Sequence, residues 1–192
     1  LKKHGLILLF VLGFCHGWLF AQKPVDNQSY RVEERIVRGD SLSPLVLAGT
    51  HVRVLFGYYD NKQVQRGDIV AYNHPANSNP LAKLVKGIPG DRFKLRDTGD
   101  GSVVLVLNGK ILKNSQGEEY KLGGNRRKML SLYEKDYHGV IPENTYLLLG
   151  DQTDGTLDST RFGLVDKSGI VGKIERQEKF VEAAQEPEYL QP

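Results

Sequence analysis

The sequence is almost without cysteine. Cys15 is its one thiol, which excludes an internal disulfide framework and any zinc site that needs two or more thiolates. It also lacks a strong excess of charge. The 26 Lys+Arg and 23 Asp+Glu leave a formal net charge of +3, too small and too mixed to suggest a nucleic-acid-binding protein. No Gly-x-Gly-x-x-Gly or Walker pattern occurs. His4, His16, His51, His74 and His138 form neither H-E-x-x-H nor H-x-x-x-H, so a zincin site is unsupported. There is no G-x-S-x-G elbow, although a Ser-His-Asp triad is not excluded by that alone. The 21 Gly and 8 Pro are scattered, which excludes collagen-like repeats and suits short strands joined by turns. What is present is a chain of 192 residues, 40% of them hydrophobic. That is enough to build a core, and the length fits one domain, or one domain plus an anchor.

One long apolar run exists, from Gly5 to Ala21, and no Asp, Glu, Lys or Arg interrupts it. As a helix it would span roughly 25 Å, at the short end of the transmembrane range. Lys2 and Lys3 precede it and would stay cytoplasmic, leaving everything after Ala21 outside. Trp18 sits where an interfacial aromatic would. A retained anchor is the favoured reading of residues 1–21. A cleaved signal peptide ending at Ala21 competes with it, weakened by Leu19 at a position that prefers small residues. A buried core helix is the third reading.

Residues 22–35 are mostly polar and read as a linker. A domain over 36–175 and a charged tail over 176–192 follow. Within the domain, His51–Phe56, Asp68–Tyr72, Ala82–Lys86, Arg92–Leu95, Val103–Leu107 and Thr145–Leu149 have strand length and composition, and are mostly bounded by turn residues. Asn108-Gly109 is a two-residue hairpin signal. No helix of convincing length is expected between Arg35 and Gly172. The end, from Ile174 onward, reads as a frayed strand or helix with a loose tail.

Three segments stand out as a set: Arg38–Pro44 (RGDSLSP), Lys83–Asp91 (KLVKGIPGD) and Gly150–Gly163 (GDQTDGTLDSTRFG). Taken singly, Ser41 reads as a turn serine and Lys83 as a solvated strand lysine. Together, in this order and behind an apolar N-terminus, they resemble the type I signal peptidases, membrane-bound serine proteases with a Ser/Lys dyad. Ser41-Leu42-Ser43-Pro44 matches that family's Ser-Met-x-Pro, with Leu for Met. Lys83 opens a Lys-Arg-Val-x-Gly-x-Pro-Gly-Asp motif in which Leu84 replaces Arg, with Val85, Gly87, Pro89, Gly90 and Asp91 in register. Gly150, Asp151, Asp154, Asp158, Ser159, Phe162 and Gly163 match the third motif. Gln152, Gly155, Thr156 and Thr160 stand where that motif has Asn, Asn, Ser and Arg, and Leu45 stands where Thr usually follows the proline. Arg161 lies one place after the missing arginine.

The resemblance implies Ser41 as nucleophile and Lys83 as general base. Elementary chemistry agrees: a serine hydroxyl needs an adjacent base, and a lysine serves only when neutral, which burial in an apolar run favours. Lys86 falls out of register, and an odd offset along a regular strand turns it to the opposite face. Gly39, two residues before Ser41, offers no hydroxyl to an oxyanion hole, leaving the Ser41 backbone N–H as the expected donor. The Thr156 hydroxyl is a candidate to bond and aim the Lys83 amine. Asp151 and Asp158 read as structural carboxylates that pin the motif loop, with Arg161 as a candidate partner. Gly90 and Gly150 read as turn glycines.

By resemblance the fold is mainly β, a coiled, partly open barrel carried by one N-terminal transmembrane helix. The implied activity is endopeptidase cleavage of signal peptides from translocated precursor proteins. The implied location is the bacterial cytoplasmic membrane, single-pass, with the catalytic domain on the outer face. Precursors and membrane lipid are the implied partners; no nucleic acid, metal or organic cofactor is implied. A specialised processing peptidase of a conjugation or secretion system, a self-cleaving repressor-type Ser/Lys protease, and a non-catalytic peptide-binding relative are the alternatives. The repressor type is disfavoured because no helix-turn-helix precedes Ser41.

Overall fold

The structure is a computed structural model and describes residues 30–177. Most of its longer strands follow the apolar runs. They are β1 (Arg31–Ile36), β2 (His51–Phe56), β3 (Ile69–Tyr72), β4 (Leu81–Gly87), β5 (Phe93–Asp97), β6 (Val103–Leu107), β7 (Lys110–Ile111), β8 (Lys121–Leu122), β9 (Thr145–Leu149), β10 (Val165–Asp166) and β11 (Ile170–Arg176). Two α-helices interrupt them, α1 (Gly124–Asp136) and the single-turn α2 (Ser159–Phe162).

The strands form two antiparallel sheets. The larger has the order β1-β2-β11-β3-β4-β9-β10; the smaller has β5-β6-β7, with β8 also on β6. The protein is therefore mainly β, and neither sheet closes on itself among the described residues. The run TYLLL in β9 is apolar at nearly every position because both of its faces are covered. Tyr146 and Leu148 pack with Val70, Val85 and Ile170, while Leu147 and Leu149 pack with Phe93, Leu105, Tyr120 and Leu130 of the smaller sheet and α1. β9 is thus the seam between the two sheets. Asn108 and Gly109 take positive φ angles of 48° and 80° and join Leu107 to Lys110, the tight hairpin that their sequence signals.

Three expectations need correction. The linker assigned to residues 22–35 ends earlier, because 31–35 belong to β1. All six residues of β1 pair with β2, from Arg31↔Phe56 to Ile36↔His51. β1 has no buried side chain, so it lacks the alternation by which strands are recognised; backbone bonds and Arg31 and Arg35 flanking Glu33 on one face hold it. Second, a helix of 13 residues lies where none was expected. The fully inward positions of α1 are Arg126 and Leu130, and Gly123 caps it without a side chain. A stripe that begins with arginine and has no capping residue carries little helical signature. Third, Ile174–Arg176 is no frayed end. It completes β11, which lies between β2 and β3. The anchor reading of 1–21, the first part of the linker and nearly all of the tail lie outside the described residues. Among the described residues no helix is long and apolar enough to cross a membrane.

Since Leu147 is fully enclosed at the seam, Leu147→Ala is expected to cost about 3 kcal/mol through lost burial and a residual cavity. Urea unfolding of the two proteins measures it.

Candidate active site

Ser41 lies in the turn that follows β1. Its neighbour Leu42 is 1% exposed and packs with Val37, Val46, Val52, Val54, Ala71, Leu84 and Ile174. This apolar anchor fixes the turn; bonds from Ser43 N to Asp40 O (2.8 Å) and from Val46 N to Leu42 O (2.9 Å) close it. Gly39, at φ 78°, supplies the left-handed step into the turn. The Ser41 N–H donates to no protein group among the described residues.

Lys83 sits in β4, opposite Val70 of β3, and is 3% exposed. Its Nζ donates to Ser41 Oγ and to Ala82 O, both at 2.9 Å. Burial pushes its pKa down from 10.5 to about 8, against the opposing field of Asp158. Lys86 goes elsewhere: its Nζ donates to Lys113 O at 3.0 Å and lies 5.5 Å from the centre of the Tyr120 ring. Its pKa is also lowered by burial, with Asp151 opposing.

The third motif wraps around this pair. Asp151 N and Gln152 N both donate to Ser41 O, at 2.7 and 3.2 Å. Gly150 does not serve a turn, as its sequence suggested, but a close approach: a Cβ there would lie 2.6 Å from Ser41 O and from a Thr156 methyl. Gly90 does take a positive φ, 84°. Asp158, fully buried, accepts from Gly150 N (3.1 Å), Thr160 N (3.0 Å), Thr160 Oγ1 (2.6 Å) and the Thr156 hydroxyl. The Thr156 hydroxyl therefore bonds to Asp158, and no bond joins it to Lys83 among the described residues. Asp151 accepts from the backbone and hydroxyl of Ser115. Arg161 reaches neither carboxylate; its Nε donates to Thr156 O at 2.9 Å.

The pair opens on a cleft of about 580 Å³. Its walls include Glu34–Arg38 on one side and Asn79–Lys83 on the other, with Val52, Val54, Phe56, Ala71 and Ile174 contributing from β2, β3 and β11. The larger sheet thus curves around the cleft. Both walls offer unpaired backbone. Among the described residues β1 pairs with no strand but β2, and β9 pairs with β4 from Leu84 onward, so Leu81–Lys83 have no strand partner on that side. A serine hydroxyl in contact with an enclosed amine of lowered basicity, a free N–H at the serine and a cleft with two open strand edges can support nucleophilic acyl transfer on an extended peptide. Among the described residues no group of three or more His, Cys, Asp or Glu side chains is placed to hold a metal ion.

The family profile described as "Signal peptidase, peptidase S26" matches residues 19–177. The chain belongs to this family. It is 31% identical over 147 residues to signal peptidase IB of Staphylococcus aureus (strain COL), covering 72% of this chain and 73% of that protein. Against signal peptidase I of Bacillus caldolyticus it is 29% identical over 143 residues, covering 73% and 75%. A solved signal peptidase I from Enterococcus faecalis V583 aligns with a TM-score of 0.42 and 29% identity, over 58% of this chain and 97% of that one.

As a signal peptidase family member the chain meets its own departures in visible ways. Gln152 engages Ser41 through its backbone, so the change from Asn leaves that bond intact. Leu45 packs against the apolar cluster under Ser41. Where the motif arginine is replaced by Thr160, a guanidinium is still present, brought by Arg126 of α1: its Nε donates to Thr160 Oγ1 at 2.9 Å. Sequence reasoning missed Arg126, Ser115 and Tyr120, whose OH donates to Gly150 O at 2.7 Å. Each is remote in sequence from the group it holds, and no local pattern marks it.

The buried amine carries a cost with a definite pH dependence. A drop from 10.5 to about 8 corresponds to roughly 3 kcal/mol. Between those values the unfolded chain holds the proton and the folded protein does not. The cost is complete below pH 8 and fades as pH rises toward 10.5. Lys83→Met, which also loses two hydrogen bonds, should be about 1–2 kcal/mol more stable than wild type at neutral pH. Denaturant curves at increasing pH should show that advantage disappear.

Proposed function

We propose that the protein is a serine endopeptidase that removes N-terminal signal peptides from translocated precursor proteins, with Ser41 as nucleophile and Lys83 as general base. The observation that carries the reading is the 2.9 Å contact between Ser41 Oγ and the enclosed Lys83 Nζ. Neutral Lys83 takes the Ser41 proton as Oγ attacks the carbonyl carbon before the cut. The Ser41 N–H, free of other partners among the described residues, bonds to the oxyanion that forms. Collapse of the tetrahedral species breaks the peptide C–N bond, and the Lys83 ammonium gives its proton to the departing amine. Water then attacks the acyl-enzyme, Lys83 takes a proton from it, and Ser41 regains its hydrogen as the acid product leaves.

The substrate enters as an extended strand along the cleft, bonding to the free edges of β1 and of Leu81–Lys83. Ala71, Ala82 and the valines of β2 leave shallow space, which suits small side chains near the cut. We read the curved larger sheet, with its gap between β1 and the start of β4, as the coiled, partly open barrel of the family. We further read residues 1–21 as the single membrane anchor, which places the domain on the outer face of the bacterial cytoplasmic membrane, beside lipid and emerging precursors.

Ser41→Ala is expected to abolish precursor cleavage with the melting temperature nearly unchanged, whereas Ser43→Ala is mild. A gel assay with purified protein and a precursor decides it, and wild-type activity in Ser41→Ala would overturn the reading. A wild-type protein that cuts no precursor at any concentration would point to the non-catalytic alternative. Lys83→Arg should be inactive, because a guanidinium stays protonated, while Lys86→Arg retains most activity. The rate of the wild type should rise with pH through about 8, as the Lys83 ammonium loses its proton. A profile flat from pH 6 to 9 would remove Lys83 as the base.

A further inference from the structure

We propose that Arg126, on α1, is a positioning residue for the Ser41–Lys83 pair, acting through the loop from Thr153 to Thr160. The proposal rests on the dyad reading above. Arg126 lies in the first turn of α1, at the positive end of the helix, where a cation is disfavoured. It is nevertheless 9% exposed, so tertiary contacts must hold it there. They do so at both ends of the loop. One terminal nitrogen donates to Thr153 O at 2.9 Å and the other to Asp154 Oδ1 at 2.8 Å, while Nε donates to Thr160 Oγ1 at 2.9 Å.

From Thr160 the contacts lead inward. Thr160 Oγ1 and N donate to Asp158 Oδ1, at 2.6 and 3.0 Å. Asp158 Oδ2 accepts the Gly150 N–H at 3.1 Å, and the next N–H, of Asp151, donates to Ser41 O at 2.7 Å. The guanidinium thus fixes the carboxylate that fixes the strand end gripping the nucleophile. α1 has a separate residue for ordinary packing, Leu130, fully buried in the core of the smaller sheet.

The charge matters as well as the bonds. Asp158 is the carboxylate whose field reaches Lys83. Arg126 sits one hydroxyl away from that carboxylate and offsets it. The other charged or titratable residues that line the cleft with Lys83 are Glu34 and Arg35 from β1, Arg38 from the turn, and His51 from β2. None of these is altered by a change at Arg126. Removing the guanidinium takes the cation away from both Asp154, its ion-pair partner, and Asp158. The added negative field favours the Lys83 ammonium, so the rise of rate with pH must move to higher pH.

The test compares the full chain in detergent with Arg126→Gln, Arg126→Lys, Leu130→Ala and Ser41→Ala on one precursor, with kcat, KM, pH profile and melting temperature read for each. Arg126→Gln, long and neutral, should lower kcat about tenfold with KM changed less than about twofold, and should shift the ascending limb upward. Arg126→Lys keeps the charge and should restore the limb to its wild-type position, with kcat only partly recovered because an ammonium lacks the planar fork. Leu130→Ala should melt lower but, assayed well below its melting temperature, keep both kcat and limb. Wild-type kcat and limb in Arg126→Gln would overturn the proposal. So would Leu130→Ala and Arg126→Gln losing kcat in step with their stability. An active Ser41→Ala would instead overturn the dyad reading itself.

Discussion

A lysine amine enclosed by protein and bonded, among the described residues, to one hydroxyl and one carbonyl is the constraint on which the rest of this structure depends. Such an amine keeps its lowered basicity only while no carboxylate comes within hydrogen-bonding distance. Yet the segment packed around Ser41 is rich in aspartate. The fold resolves the conflict by occupying those carboxylates elsewhere. Asp158 spends both oxygens on Gly150, Thr156 and Thr160, and Asp151 spends its own on Ser115. Their oxygens order N–H and hydroxyl groups of the loop, and Asp158 opposes the burial of Lys83 through its field without bonding to the amine.

The second sheet has a part in this arrangement. Tyr120 lies between β7 and β8, and its hydroxyl holds Gly150 O; Ser115, in the same stretch, holds Asp151. Burial pushes the Tyr120 pKa up, so its phenol remains a donor across the working pH range. β9, whose last residue precedes Gly150, is packed on one face by the larger sheet and on the other by the smaller. The strand end that grips the Ser41 carbonyl is thus set from two sides.

The sequence made legible what is local. The strand cores of β2, β6 and β9, the Asn108-Gly109 hairpin and the three segments that converge at Ser41 could all be read from short windows. The joint resemblance of the three segments singled out Ser41 and Lys83, which taken alone read as a turn serine and a solvated lysine, and the motif register with the odd offset in β4 separated Lys83 from Lys86. What could not be read depends on partners distant in sequence. β1 has no apolar face to announce it; α1 hides its inward stripe behind Arg126. The Thr156 hydroxyl was expected to bond the Lys83 amine, and the folded loop turns it to Asp158 instead. Gly150 looked like a turn glycine because crowding by the Ser41 carbonyl leaves no local signature.

β1 forms one wall of the cleft yet, among the described residues, pairs with a single strand and buries none of its side chains. Its backbone N–H groups are therefore among the least protected in the larger sheet, and local fraying there costs far less than global unfolding. Amide exchange with solvent deuterium should be fast along Arg31–Ile36 in the free protein. A peptide that adds to the open edge supplies β1 with its second neighbour. The wall that admits the ligand is then the wall the ligand rigidifies, so occupancy of the cleft becomes readable as slowed exchange in a strand that contains neither Ser41 nor Lys83.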